Sequence, residues 1–158
     1  MKRFFISVFF IFLALNCFCA TLDIFITQND GVQENVRDIT SLFEATVLDS
    51  FFDYGHIVSN EPVCLDVTSK TGFQKAFDNA QKGYSDFLIS FLLTVDPVTE
   101  SVSNVSYEVI KLNNSKTVKK ADLTVPKAVS LNRDDVEITL IVFIKKMLVQ
   151  INQSLFGV

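Results

Sequence analysis

The spacing of hydrophobic and polar residues predicts a chain of alternating strands and helices. Residues 21–29, TLDIFITQN, alternate with a two-residue period and lead into turn residues, so they predict a first strand. Apolar residues then recur every three or four positions from Val36 to Tyr54, which predicts an amphipathic helix that ends at Gly55. The chain after residue 20 therefore begins with a strand and a helix.

The middle of the chain predicts a second strand, a second helix and a third strand. The second strand covers His56–Ser59 and resumes at Val63–Val67, because Pro62 cannot donate to a ladder. A short helix follows at Thr71–Lys82. Residues 85–97, SDFLISFLLTVDP, form a continuous apolar run, which is typical of a strand buried on both faces.

The last third of the chain predicts a hairpin and a long helix. The hairpin strands are Ser103–Leu112 and Thr117–Val125, on either side of an Asn-Asn-Ser turn. Asn132 or Asp134 is expected to cap the final helix. Its inward stripe consists of Val136, Leu140, Phe143, Met147, Ile151 and Leu155, widened by Ile144 and Leu148.

The order β-α-β-α-β-β-β-α predicts an α/β (α+β) fold, with a mixed sheet of about five strands and helices packed on it. Hydrophobic residues make up 49% of the chain and charged residues 20%, which is enough apolar surface for a core. Residues 21–158 are expected to form a single domain, because about 100 to 150 residues is the commonest domain size.

The first 20 residues have the composition of a secretion signal. Lys2 and Arg3 precede about a dozen apolar residues that end at Leu15, and small residues follow. A transmembrane helix needs about 20 apolar residues, so the run is short for a permanent span. We therefore expect an exported protein that is periplasmic or tethered to the cell envelope.

The processing of this segment stays open between two routes. Signal peptidase is expected to cut after Cys19, or after Ala20, where bulky Phe18 would occupy the third position before the cut. Alternatively, Leu13–Cys17 is a loose bacterial lipobox, with Leu15 and Asn16 at the two positions that depart from the usual form, and Cys17 would be lipidated. In that second case Cys19 could pair with Cys64, which otherwise is a small buried hydrophobe.

The charge balance argues against nucleic acid as a partner. The chain has 14 basic and 18 acidic residues, and without Lys2 and Arg3 the balance is 12 against 18, or −6. Binding to phosphate backbones needs concentrated lysine and arginine, whereas this chain offers only lysine pairs.

No catalytic, cofactor-binding or metal-binding residues emerge from the sequence. His56 is the only histidine and is expected at the surface or the start of a strand, without the set of partners that catalysis or a metal site needs. Phosphate-binding loops and hydrolase motifs are absent, and the aspartates are scattered over predicted loops. Phe52 falls off the helical stripe beside Tyr54, so these two residues are the candidate contacts for a partner.

Several segments together resemble a known envelope module. They are LDIFIT, a helix ending in FFDYGHIVS, the passage AFDNAQKGYSDFLISFLLTVDP, a hairpin, and LTVPKA before the final helix. The pattern is similar to the amino-terminal domain of TolB and to the envelope lipoproteins LpoB, CsgG and FlgO, from about Leu22 to Leu155. Phe77 stands where those proteins often have a smaller residue. The resemblance implies binding and assembly at the envelope, and it implies no active site.

The leading expectation is an exported, non-enzymatic protein that binds an envelope protein or takes part in assembly, without a cofactor. One alternative is an exported enzyme with an unrecognised site near His56 and Asp66. Another is a structural component that self-assembles through a free sheet edge.

Overall fold

The computed structural model describes residues 19–32, 34–67, 70–130 and 132–156, so the expected signal segment with Cys17 lies outside the described residues. Within these ranges five strands and three helices follow in the predicted order, which confirms the predicted fold class. The elements are β1 (Thr21–Asn29), α1 (Asp38–Asp53), β2 (Ile57–Asn60), α2 (Lys70–Lys82), β3 (Phe87–Asp96), β4 (Ser101–Lys111), β5 (Lys116–Thr124) and α3 (Arg133–Leu155).

The strands form one mixed sheet in the order β2-β1-β3-β4-β5. β1 pairs in parallel with β2 and with β3, because α1 and α2 carry the chain back before each new strand begins. β3, β4 and β5 are antiparallel and are joined by tight turns. We call the end of the sheet where β1, β2 and β3 begin the amino pole, and the end where they finish the carboxyl pole.

α1 and α3 pack on one face of the sheet and form the main core with it. Alternate residues of β1, such as Leu22 and Ile24, point to this face and are fully buried. Phe43 of α1 meets Phe91 of β3 edge to face, with ring centroids 5.3 Å apart. This layer also holds most of the inward stripe of α3.

The second face is covered only in part, by α2. Ala76 and Ala80 of this helix pack on Phe25 and Leu88. Thirteen residues make a helix about 20 Å long, and α2 lies over the first part of the sheet only. Leu92, further along β3, is only half-buried. The prediction of a strand buried on both faces is therefore wrong for the second half of β3.

β2 is shorter than predicted. It ends at Asn60, and the expected second part at Val63–Val67 is reduced to a single bridge between Thr27 and Cys64. The backbone N–H of Glu61 still donates to the carbonyl of Ile24, at 2.9 Å, so the chain continues alongside β1. Pro62 then interrupts the ladder because it has no N–H to donate.

α3 is the longest helix of the described chain. Asn132 is its N-cap residue, since its side chain accepts from the N–H of Asp134, and this settles the open choice between those two caps. The helix is long and apolar enough to span a membrane by composition, but one side of it is buried in the core. Its outer side leaves Ile138, Val142 and Val149 exposed.

Candidate functional site

His56 is a structural residue of the amino pole. It directly precedes β2, as one of the two expected places required, but it is buried and does not lie at the surface. The N–H of Ala20 donates to Nδ1 at 3.1 Å, so Nε2 carries the hydrogen and donates to Oδ1 of Asn152 at 2.7 Å. The ring also stacks on Phe156 and meets Phe51 edge to face. Both ring nitrogens are thus committed to the fold.

The structure does not bring His56 and Asp66 together. His56 precedes β2 at the amino pole, whereas Asp66 follows the bridge of Cys64 to Thr27, towards the carboxyl pole. The Cys64 thiol donates to the carbonyl of Asp66 at 3.5 Å, which is a local turn contact. The arrangement offers no acid–base pair between these two residues.

Cys19 and Cys64 are both free. Cys19 stands just before β1 and Cys64 pairs with Thr27 near its end, and six strand residues span about 20 Å. A disulfide needs Cα atoms within about 7 Å, so the pairing left open by the sequence is excluded in this fold.

The candidate contact residues Phe52 and Tyr54 lie at the amino pole, at the end of α1. The Phe52 side chain is 73% exposed and that of Tyr54 is 37% exposed. Tyr54 still meets Phe51 edge to face, so it is held in place, whereas Phe52 points away from the core. Their role as partner contacts stays a prediction.

Asp23 is a buried carboxyl group that the sequence analysis did not single out. It lies on the face of β1 that α2 covers, beside Ser59 of β2 and near Glu61, and its Oδ1 has no hydrogen-bond partner. Burial raises the pKa of Asp23, and the charge of Glu61 raises it further, against one N–H from Ile24. An acid within the apolar run of a strand is the signal that could have found it.

A polar cluster fixes the loop that follows β1 at the carboxyl pole. The buried carboxylate of Asp30 pairs with Arg37, with Nε and Oδ2 2.8 Å apart. Gln28 is fully buried, donates to Asp30 and to the carbonyl of Asn35, and accepts from the N–H of Arg37 at 2.9 Å. These bonds hold the start of α1 against the end of β1. Because the buried polar groups of the cluster are hydrogen-bonded to one another, we assign the cluster a structural role.

Two adjoining cavities form a groove at the carboxyl pole, and Thr99 and Val136 line both of them. The smaller, of about 230 Å³, lies between the first turns of α1 and α3 and the β3–β4 turn. The larger, of about 420 Å³, lies beside the loop from β5 to α3 and is mainly apolar. Val98, which lines the smaller cavity, and Val129, in the loop beside the larger one, are almost fully exposed.

Charges at the groove are unevenly distributed. The smaller cavity is lined by Asp38, Glu100 and Glu137 and by one cation, Arg133. Arg133 bonds Asp38 at 3.2 Å and Glu137 at 2.7 Å, and these bonds raise its pKa, those to Glu137 first. The groove therefore combines an apolar floor with an excess of negative charge at one end.

The described residues contain no group of three or more His, Cys, Asp or Glu side chains placed to hold a metal ion. The geometry offers a groove and exposed apolar side chains, which suit binding. The groove was not predicted from the sequence, because it is built from loops distant along the chain.

The fold and the groove define a small module with a five-stranded mixed sheet covered by helices. The chain belongs to the family described as "Uncharacterised protein", whose model matches residues 21–131. The comparison with curated proteins found no match.

Solved structures share this fold at low sequence identity. Protein XCC0632 from Xanthomonas campestris, of family DUF330, is 13% identical, with a TM-score of 0.50 over 90% of this chain and 88% of that chain. A dodecamer of a PelC variant from Paraburkholderia phytofirmans is 14% identical, with a TM-score of 0.50 over 82% of this chain and 86% of that chain.

TolB from Acinetobacter baumannii, to whose amino-terminal domain the sequence pattern is similar, is also among the matches. It is 11% identical, with a TM-score of 0.44 over 88% of this chain and 29% of that chain.

Proposed function

We propose that this chain is an exported, non-enzymatic protein of the cell envelope that binds a partner protein through the groove at its carboxyl pole. The groove carries the proposal, because it joins about 420 Å³ of mainly apolar space to an acidic cavity. Such a groove suits a segment that presents an apolar side chain beside a basic one.

The secretion signal in the sequence supports export, and the envelope resemblance supports binding over turnover. The commitment of both His56 nitrogens within the fold weighs against the enzyme alternative at that residue. A partner bound at the carboxyl pole would also be remote from the point where the amino-terminal segment joins the domain.

The test is a comparison of proteins retained from envelope fractions by three forms of the full chain. Thr99→Trp fills the mouth of both cavities from an exposed turn. Lys120→Trp is the matched control, because its exposed side chain lies on β5 and lines neither cavity. We expect one protein to be retained by the wild type and the control and lost with Thr99→Trp. Retention by all three forms, or by none, would contradict the proposal.

Self-assembly is a second candidate, favoured by the outer side of α3. Ile138 is 60% exposed, and Val142 and Val149 lie along the same side of the helix. PelC, which shares the fold, forms a dodecamer. Pairing through the free edge of β5 is opposed by Lys116, Lys119 and Lys120, since lysines on an edge strand discourage such pairing.

Sedimentation velocity across a range of concentrations tests this candidate. Association that is lost with Val142→Glu would support assembly through α3. A monomer at every concentration would remove it.

A further inference from the structure

We propose that the amino pole rests on a lipid bilayer, with Phe52, Ile57 and Tyr84 in the headgroup region. The inference rests on the proposed export, because it requires the amino-terminal segment or a lipid on Cys17 to be held in the membrane. It assigns Phe52 to lipid and leaves the groove at the opposite pole free for protein.

The exposed aromatic residues are confined to one end of the described chain. Tyr84 is 90% exposed, Phe52 is 73% exposed, and Tyr54 is the third. All three lie at the amino pole, since they end α1 or follow α2, immediately before β2 and β3 begin. The exposed large apolar residues of the carboxyl-pole loops are instead valines, namely Val32, Val36, Val67, Val98 and Val129.

Exposed aromatic residues at one pole suit contact with a membrane surface. Phenylalanine and tyrosine offer large apolar rings, and tyrosine adds a hydroxyl that stays in contact with water or headgroups. Aromatic residues are accordingly enriched where proteins meet the boundary between lipid and water. Ile57 is 63% exposed on the edge strand β2 and adds an aliphatic side chain to the same end.

The backbone places these side chains on both sides of the point where the chain enters the domain. The N–H of Ile57 donates to the carbonyl of Ala20 at 3.0 Å, which holds the start of β2 beside Cys19. On the other side, the N–H of Thr21 donates to Asp86 at 2.8 Å, two residues after Tyr84. The aromatic residues therefore flank the incoming chain.

The length of the incoming chain keeps this end close to any membrane that holds it. The apolar run ends at Leu15, four residues before the exposed Cys19, and four extended residues span at most about 14 Å. A lipid on Cys17 would leave only two residues, or about 7 Å. With either attachment the amino pole cannot move far from the bilayer.

Tyr84 is unusual in its backbone as well as in its exposure. Its φ is 57°, in the left-handed region that glycine adopts most easily, although it follows Gly83 at the end of α2. Its side chain is almost fully exposed, so the domain itself gains little from the ring. A surface that binds the ring from outside accounts for a tyrosine at this position.

Charge does not dominate this pole. Lys82, Lys111 and Lys116 are balanced in part by Asp53 and by Asp86. We therefore expect the contact to depend on insertion of the apolar rings and to persist at high salt, unlike binding through basic residues alone.

The absence of tryptophan from the chain allows a direct test with single-tryptophan variants. The full chain carrying Tyr84→Trp or Phe52→Trp is reconstituted into vesicles of phosphatidylethanolamine and phosphatidylglycerol. Val98→Trp and Val129→Trp are matched controls, because both positions are strongly exposed at the opposite pole. Flotation reports attachment, and quenching by lipids brominated near the headgroup reports which pole meets the bilayer.

We expect the chain to float with the vesicles, and we expect a blue shift and lipid quenching for Tyr84→Trp and Phe52→Trp but not for the controls. Flotation without quenching at positions 52 and 84 would overturn the proposal and leave attachment intact. A blue shift without lipid quenching would mean that the rings meet protein, and would also overturn it. Failure to float would overturn both the attachment and the lipid contact. None of these outcomes depends on the groove, so the partner experiment stands separately.

Discussion

His56 and Asn152 are 96 positions apart in the chain and are joined by a hydrogen bond of 2.7 Å between Nε2 and Oδ1. This bond ties the start of β2 to the last turns of α3, and the other ring nitrogen ties both to Ala20 at the start of the domain. These two hydrogen bonds therefore hold three distant parts of the chain together at the amino pole.

The first prediction concerns this bond. His56→Ala removes a buried ring and leaves the N–H of Ala20 and the amide of Asn152 without these partners, so we expect a loss of about 2 to 4 kcal/mol in the free energy of unfolding. Asn152→Ala removes one bond and should cost about 1 kcal/mol. Urea denaturation of both single variants and the double variant gives the coupling energy. Additive effects would contradict a direct bond between the two side chains.

The second prediction compares a buried ion pair with an exposed one. Arg37→Met leaves the carboxylate of Asp30, whose side chain is fully buried, without its cation, and we expect a cost of about 3 kcal/mol. Arg133→Met breaks two pairs that lie at the surface, where water screens the charges, and should cost much less. Thermal or urea unfolding of the two variants measures the difference. Equal losses would show that the cluster around Asp30 does not hold the loop after β1.

The third prediction concerns pH. Because the folded state raises the pKa of Asp23, the folded protein holds that proton more tightly than the unfolded chain does. The stability from this group is present below the unfolded pKa of about 3.9 and is lost as the pH rises through the folded value. Asp23→Asn should therefore raise the free energy of unfolding at neutral pH and lose this advantage in acid.

Unfolding curves measured at neutral pH and near pH 3 test this dependence. Asp49→Asn is the matched control, because Asp49 is exposed on α1. If Asp23→Asn raises the free energy of unfolding equally at both pH values, the destabilisation does not come from the ionised form of the Asp23 carboxyl group.

The fourth prediction concerns Tyr84. Replacement by glycine removes an exposed side chain from a backbone with φ of 57°, so Tyr84→Gly should leave the stability unchanged or raise it by up to about 1 kcal/mol. Chemical denaturation measures the difference in the absence of lipid. A marked loss of stability would mean that the Tyr84 ring packs within the domain, which would contradict its proposed role in contacting lipid.

Much of the fold could be predicted because its signals are local. The alternation in β1, the turn after it and the stripe of α3 each lie within one segment, and the structure places these elements within a few residues of the predicted bounds. β3 was harder, because its continuous apolar run does not show how far a neighbouring helix extends. α2 covers Leu88 but leaves Leu92 half-buried, and the sequence of β3 alone contains no sign of this difference.

The candidate sites were less accessible to sequence analysis. The exposure of Phe52 could be predicted from its position off the helical stripe. The burial of His56 could not, because its partners Ala20 and Asn152 meet only after the sheet and α3 have packed together. The place of Asp23 within the apolar run of β1 can be seen in the sequence, but its closeness to Glu61 cannot. That closeness depends on the strand order, which places β1 beside β2.

The position of β1 also has a mechanical consequence. This strand receives the incoming chain, and it pairs in parallel with β2 on one side and with β3 on the other. A force applied at the amino terminus along β1 would have to shear both ladders together, and could not open them one bond at a time. A domain held by its amino-terminal segment would therefore bear tension through a strand that is hydrogen-bonded on both sides.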